Sequence, residues 1–166
     1  MITLRKVILD DATNITLWKQ EPYMKHMALD EDFSVTLDNQ KEDIHQCLLS
    51  IHATYEMILK DDIPIGYIRI DYLDKAHRYV WLRFALGSYR GHGYMKEALL
   101  IKLNLLNHQH VHRIECEVYD YNLPSIHLLE SIGFVKEGIK RKAHYAQERY
   151  HDIYVYGLLL NEIDEG

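Results

Sequence analysis

Apolar and polar positions alternate from the first residues. In ITLRKVI this predicts a strand with Ile2, Leu4 and Val7 inward. Asp10 or Asp11 then stands where an N-cap is expected, for a helix carrying Ile15, Leu17 and Trp18 that Pro22 ends. From Glu21 to Asn39 the pattern is irregular and predicts loop with a short helix. Helical spacing returns from Lys41 to His52, with Ile44, Leu48 and Ile51 on one face. TYEMILK and IPIGYIRIDYL read as strands joined by the turn DDIP, and RYVWLRFAL as a third strand rich in aromatic and branched residues. A helix from about Gly93 to Asn107 buries Met95, Ala98, Leu99, Leu103 and Leu106. RIECEVYD is the next strand, LPSIHLLESIGF a short helix stopped by Gly133, and FVKEGIKR and RYHDIYVYGLLL two closing strands. The order predicts an α/β (α+β) fold with a mixed, partly antiparallel sheet of about seven strands flanked by about four helices. The two strand–helix–strand crossovers are expected to be right-handed.

The length of 166 residues predicts one domain, residues 1–166, and 48% hydrophobic with 27% charged residues is ordinary for a globular chain. No apolar run reaches membrane-spanning length, and the N-terminus lacks the apolar core and cleavage site of a signal peptide. A cytoplasmic protein without membrane association is therefore expected. The net charge of −6 argues against nucleic acid as a partner, since a phosphate-backbone binder needs a basic face. The two cysteines, Cys47 and Cys116, have neither disulfide-framework nor CxxC spacing. His108, His110 and His112 alternate and would share one side of an extended segment, but no carboxylate or cysteine partner is indicated, so no metal is expected.

The chemistry concentrates in SYRGHGYMKEALL, Ser88 to Leu100. Gly91 and Gly93 let backbone N–H groups approach a ligand with no Cβ in the way. The helix they feed has N–H groups without intrahelical partners and a dipole positive at that end. A strand, a glycine turn and an exposed helix N-terminus together form a phosphate-binding device, and Arg90 adds a cation. No Gly-Lys-Ser/Thr follows, so this is not a Walker A loop, and the third glycine of a dinucleotide fingerprint is missing.

YRGHGYMKEALL resembles motif A of the GNAT N-acetyltransferase superfamily, Arg/Gln-x-x-Gly-x-Gly/Ala, with Met95 at the last position in place of a small residue. About thirty residues on, NLPSIHLLESIGFVKEG is similar to motif B of the ribosomal-protein-alanine (RimJ/RimL-like) branch. The closing HDIYVYGLLL resembles that branch's final strand, so that the resemblance spans roughly Ile63 to Leu160. It implies a sheet in which RYVWLRFAL and RIECEVYD splay apart to hold acetyl-CoA as cosubstrate. The pantetheine arm would pair with backbone near Phe84 and Ala85, the pyrophosphate would sit on amides of Arg90, Gly91, His92, Gly93, Tyr94 and Met95, and Asn122 and Ser125 would face the other side. Strand addition of this kind relies on main-chain bonds.

The implied reaction is acyl transfer from a thioester to an amine, with an oxyanion donor expected near Ala85. Many family members protonate the leaving thiolate with a tyrosine on the motif B helix. Leu129 stands there in this chain, and the resemblance to the ribosomal-protein branch assigns the part to Ser125, whose other reading is a helix-capping hydroxyl. That branch can use a carboxylate base between its last two strands; the matching place holds His144, with Glu115, Glu117 and Asp120 as competitors. Cys116 carries no mark of activation, so direct transfer is expected over a thioester on the protein.

The acceptor is expected to be an amine: a peptide N-terminus, or a small cationic amine such as a polyamine, aminoglycoside or amino sugar. Asp30, Glu31 and Asp32 in ALDEDFS would attract a cation if they border the acceptor groove, and are otherwise a solvated loop. Tyr145, Tyr150, Tyr154 and Tyr156 fit strand propensity, and some could line an amine pocket. Another acyl donor, or a catalytically weak acyl-CoA-binding module, is the alternative. The chain is expected to be a monomer, or a homodimer paired through its apolar last strand.

Overall fold

The computed structural model describes residues 1–162. Its elements are β1 (Ile2–Lys6), α1 (Ala12–Gln20), α2 (Pro22–Ala28), α3 (Leu37–Leu49), β2 (Ala53–Lys60), β3 (Ile63–Tyr72), β4 (Tyr79–Leu86), α4 (Tyr94–His108), β5 (Arg113–Tyr119), α5 (Leu123–Ile132), β6 (Val135–Ala146) and β7 (Arg149–Leu159). The strands form one seven-stranded sheet in the order β1-β2-β3-β4-β5-β7-β6. All neighbours are antiparallel except β4 and β5.

Alternation along the strands divides the core between two faces. One cluster joins Ile68, Ile70, Val80, Leu82 and Ile114 to α4 and α5; the other joins Tyr55, Met57, Tyr67 and Ala85 to α1, α2 and α3. All five residues predicted for the buried stripe of α4 are buried. Lys102 joins them, its ammonium hydrogen-bonded to Glu56.

Several local expectations move for definable reasons. Pro22 ends α1, as expected, because the residue before proline is driven out of the helical region: Glu21 sits at φ −68°, ψ 134°. The same proline then opens α2, since the first helical position needs no N–H donor. This gives five α-helices rather than about four. Helix α3 begins at Leu37, four residues before the predicted Lys41, because the Thr36 hydroxyl accepts a hydrogen bond from Asn39 N at 3.1 Å. At its other end α3 stops at Leu49, where Ser50 turns extended (ψ 140°), and Ile51, expected on its buried face, is exposed. Asp11 stands at the N-cap of α1, as expected, but its side chain makes no capping bond there. It is buried and accepts from both guanidinium ends of Arg5 (2.7 and 2.8 Å) and from Ile8 N (2.8 Å), closing a short 3-10 turn at Leu9–Asp11.

Strand β6 runs on through Ala146, well past the predicted FVKEGIKR, and turns tightly into β7 at Gln147 and Glu148, both left-handed. Strand β7 lies inside the sheet, bonded to β5 on one side and β6 on the other, so it has no open edge for pairing across a dimer. The sheet edges are β1 and β6. His108 ends α4, His110 occupies a left-handed turn at φ 64°, and His112 precedes β5, so the three histidines do not share one side of an extended segment.

Gly133 terminates α5 at φ 117°, and a Cβ there would meet only Leu158 Cδ1, at 3.8 Å. Its requirement is therefore torsional. Gly133→Ala is expected to lower unfolding free energy by about 1 kcal/mol, measured by urea denaturation, without a change in the slope of the transition.

Candidate active site

The decisive feature of the sheet is how briefly β4 and β5 pair. Tyr79, Val80 and Trp81 face Arg113, Ile114 and Glu115 in parallel register, and there the ladder ends. Each strand keeps its outer neighbour: β4 stays bonded to β3 through Leu86, and β5 to β7 through Tyr119. A gap opens between Leu82–Leu86 and Cys116–Tyr119, and the backbone groups of β4 that face it lack a strand partner.

Two cavities meet at this gap. The larger, about 520 Å³, lies on the α1–α3 face and reaches through the gap; the smaller, about 240 Å³, lies toward α4 and α5. They share Met27, Ala28, Phe84, Asn122 and Ser125. Helix α2 roofs the junction, and its tethers explain why so short a helix holds there. The last carbonyls of a helix lack intrahelical partners. In α2 and just beyond it they are taken by side chains from the end of β5: Tyr121 Oη donates to His26 O (2.6 Å), Asn122 Nδ2 to Met27 O (3.0 Å), and the Tyr119 hydroxyl to Leu29 O.

At the far end of β4 the chain enters the glycine turn. Tyr89, Gly91 and Gly93 have φ of 58°, 83° and 81°. Alternating left-handed residues curl successive N–H groups into an anion-binding concavity. Nothing lies within 4 Å of a Cβ built on either glycine, so torsion, not space, demands them. Helix α4 starts here with no side-chain cap. Arg90 Nη2 is buried without a hydrogen-bond acceptor; Glu21 lies 3.5 Å away and the Tyr23 ring centroid 4.4 Å from the guanidinium carbon. Lys60 lies 5.3 Å from the Tyr89 ring centroid, its ammonium paired with Asp61 at 3.3 Å. Uncapped amides, an orphaned guanidinium nitrogen and an open strand edge fit a diphosphate with a long amide-bearing arm.

Residues 1–135 match the family model described as Acetyltransferase (GNAT) domain. The chain belongs to the GNAT acetyltransferase family. It is 31% identical over 171 residues to the uncharacterized N-acetyltransferase p20 of Bacillus licheniformis, covering 97% of this chain and 94% of that one. In fold it is similar to the spermidine N-acetyltransferase of Vibrio cholerae, solved in complex with CoA and spermine (TM-score 0.89, 19% identity, 98% of this chain and 97% of the other). It is likewise similar to a Salmonella typhimurium acetyltransferase that modifies the N-terminal serine of 50S ribosomal subunit protein L7/L12 (TM-score 0.81, 15% identity, 95% of this chain and 94% of the other).

In this GNAT acetyltransferase the sequence-predicted residues gather unevenly. Phe84, Ala85, Arg90, Gly91, Gly93, Met95, Asn122 and Ser125 all line the smaller cavity. The His92 and Tyr94 rings do not; they stack on each other at 5.6 Å between centroids. Met95 accommodates its bulk by packing into the core. Asn122, not Ser125, caps α5: its Oδ1 accepts from Ser125 N at 3.2 Å, and both ends of its amide are engaged. Ser125 thus has no capping duty and stands on the shared border of the cavities. Leu129 is buried and lines the larger cavity.

His144 lines neither cavity. It is buried, stacked on Tyr119 at 3.7 Å between centroids, and its Nε2 lies 3.0 Å from Tyr121 Oη. The Tyr121 proton goes to His26 O, so Nε2–H donates to Tyr121 and Nδ1 keeps its lone pair. Desolvation, moderated by the charge of Asp30, holds the His144 pKa below its usual value. Among its competitors, Glu115 is hydrogen-bonded to Tyr79 and 3.5 Å from Arg113, and Asp120 accepts from Asp152 N at 3.0 Å and lies 3.3 Å from His151. Glu117 lines the larger cavity, paired with Lys140. Cys116 lines it too, but burial pushes its thiol up to about 12.

Asp30, Glu31 and Asp32 line neither cavity. Asp30 accepts from Asp32 N (3.2 Å), and Glu31 holds Gln147 N (3.2 Å) and lies 3.3 Å from His26 Nδ1. Leu29, Phe33 and Val35 face the larger cavity instead. Its aromatic lining comes from Phe33, Tyr55, Tyr67, Trp81, Phe84 and Tyr119, and none of Tyr145, Tyr150, Tyr154 and Tyr156 reaches it.

The residue that sequence reasoning missed is Lys19 of α1. Its ammonium donates to Gln40 Oε1 at 3.1 Å and lies 5.6 Å from the Tyr67 ring centroid. Desolvation lowers its pKa to about 8, with Arg69 and Arg83 pushing the same way and Asp43 opposing. Below pH 8 both folded and unfolded chains carry the charge, and the fold bears the full cost of burying it. As pH rises from about 8 toward 10.5 the folded lysine gives up its proton while the unfolded chain keeps it, so this contribution to stability increases. The shift corresponds to at most about 3 kcal/mol. Lys19→Met should therefore be more stable than the wild type in urea at pH 7, with the advantage shrinking as pH approaches 10. A loss of stability at pH 7 would contradict this.

Proposed function

We propose that this acetyltransferase moves an acetyl group from acetyl-CoA to a primary amine by direct attack, with a peptide or protein N-terminus as the favoured acceptor. The observation that carries this reading is the gap between β4 and β5, flanked by one cavity that ends on an anion-binding turn and another that does not. The ribosomal-protein branch supports the choice of acceptor: the chain shares its Asn122-to-Gly138 motif, and the Salmonella typhimurium neighbour modifies an N-terminal serine.

Acetyl-CoA supplies an acetyl carbon activated as a thioester. The amides from Arg90 to Met95 hold its diphosphate, and the free edge of β4 at Phe84 and Ala85 holds the arm and gives the carbonyl oxygen an N–H donor. The acceptor amine comes from the larger cavity. Its lone pair forms the C–N bond, the carbonyl π electrons collect on oxygen, and their return breaks the C–S bond. The Ser125 hydroxyl gives its proton to the departing thiolate. The ammonium proton leaves through water to His144 Nδ1, since His144 does not reach the cavity itself. Ser125 is reprotonated from solvent and His144 gives its proton back to solvent, which closes the proton balance. Cys116 takes no covalent part, because a thiol of pKa about 12 is un-ionised at neutral pH.

The reading is tested by following CoA thiol release with acetyl-CoA and a panel of peptides and polyamines. Ser125→Ala should lower kcat about a hundredfold with little change in KM for acetyl-CoA. His144→Gln should remove the acidic limb of the kcat/KM profile, a limb expected below pH 6.5 because the His144 pKa is depressed. Cys116→Ala should leave turnover within about twofold, whereas a route through a protein thioester would lose it. Binding of acetyl-CoA without turnover of any acceptor would favour an acyl-CoA-binding module.

A further inference from the structure

We infer that the larger cavity selects amine acceptors that also carry a carboxylate, which Lys19 holds. The inference rests on the acetyltransferase reading and names the acceptor class of the same site.

The argument is a count of charges at the cavity wall. Five ionised side chains line it: Lys19, Arg69, Arg83, Asp43 and Glu117. Each carboxylate is already answered. Asp43 accepts from Arg69 Nη1 at 2.9 Å through both oxygens, and Glu117 pairs with Lys140. Arg83 donates to Asp71 at 2.7 Å and stacks over Trp81, 4.9 Å from its ring centroid. Lys19 has only the neutral Gln40 oxygen and a tyrosine face. Among the described residues, it is the one charged lining group with no oppositely charged partner in contact. One positive charge therefore remains unanswered on a wall that also carries Tyr55, Tyr67, Trp81 and Phe33.

Such a charge in a partly desolvated place is a poor structural element. Keeping it is intelligible where a ligand completes the pair, because an opposite charge is worth more there than in open water. The same cations act on the acceptor's amine. Positive charge nearby favours its neutral, nucleophilic form, and repels acceptors with several positive charges. A polyamine is thus the wrong partner for this wall, although the fold is shared with an enzyme solved with spermine bound. The carboxylate can come from a peptide with an acidic side chain next to its N-terminus or from a free amino acid.

The test compares kcat/KM, by thiol release, for two peptide amides differing only in aspartate or asparagine at the second residue, for free amino acids, and for spermidine. The aspartyl peptide is expected to exceed its asparaginyl twin about tenfold, and spermidine to fall below both. A free amino acid that outruns the aspartyl peptide would identify the small molecule as the carboxylate source and support the inference equally. Lys19→Met should bring the aspartyl-to-asparaginyl ratio to about one by raising KM for the aspartyl peptide only. Its melting temperature should be no lower than wild type, and its KM for acetyl-CoA unchanged. Lys19→Arg should restore part of the ratio. A ratio near one in the wild type, or a ratio that survives Lys19→Met, overturns the inference while leaving acetyl transfer standing. No thiol release with any acceptor overturns the acetyltransferase reading itself, and this inference with it.

Discussion

The site exists because β4 and β5 stop pairing after three residues while neither loses its other neighbour. Backbone N–H and C=O groups left unpaired in a protein interior are costly, so an unfilled parting of two central strands is ordinarily unstable. Here two things make it tolerable. The outer ladders to β3 and β7 hold both strands straight, and the gap opens into cavities instead of dry core. What the sheet forgoes in ladder bonds becomes a template for an extended ligand, whose amides can replace the missing strand.

Helix α2 turns that opening into a bounded site. At one end Tyr23 meets Arg90 of the glycine turn; at the other, three side chains from the end of β5 hold its carbonyls. The helix thus spans from one diverging strand to the other, and the walls around Met27 and Ala28 serve both cavities. His144 belongs to this arrangement too, since it donates to the tyrosine that holds His26. Tyr121 joins the roof to the proposed base, which couples the position of α2 to the protonation of His144.

Local chemistry made much of this legible. The stripe of α4 follows from a helical period of apolar residues that no competing pattern disturbs, and Gly91, Gly93 and Gly133 mark backbone torsions that other residues resist. The motif residues around Phe84, Arg90 and Ser125 could be placed because each lies within a few positions of such a marker. Other features depended on contacts distant in sequence. Helix α2 has a proline at its start but no side-chain cap, and it is held by residues about ninety positions away, so the sequence predicts a short helix there without fixing its bounds. The interior place of β7 is a matter of strand order, invisible in its composition. For the acidic loop the sequence left two readings open, because composition cannot say which side chains turn inward: Asp30 and Glu31 hydrogen-bond to backbone and histidine, and the apolar residues beside them face the cavity. Nothing in its neighbourhood in sequence marks Lys19; its contacts with Gln40 of α3 and Tyr67 of β3 are what set it apart.

The distribution of charge ties these observations together. The chain as a whole carries −6, yet each cavity presents a cation whose partners are incomplete: Arg90 Nη2 has no hydrogen-bond acceptor although Glu21 lies 3.5 Å away, and Lys19 has no opposite charge in contact. A net negative surface does not draw an anionic cosubstrate from a distance, and beyond about 10 Å salt screens such fields in any case. Recognition must therefore be local, made by groups whose charge is felt only after water has been displaced. Such groups are expensive for the fold, as the lowered pKa of Lys19 shows, and strong toward a ligand for the same reason: a medium that solvates a charge poorly also screens it poorly. In this acetyltransferase the positions that weaken the folded chain and those that would bind its substrates are in good part the same positions.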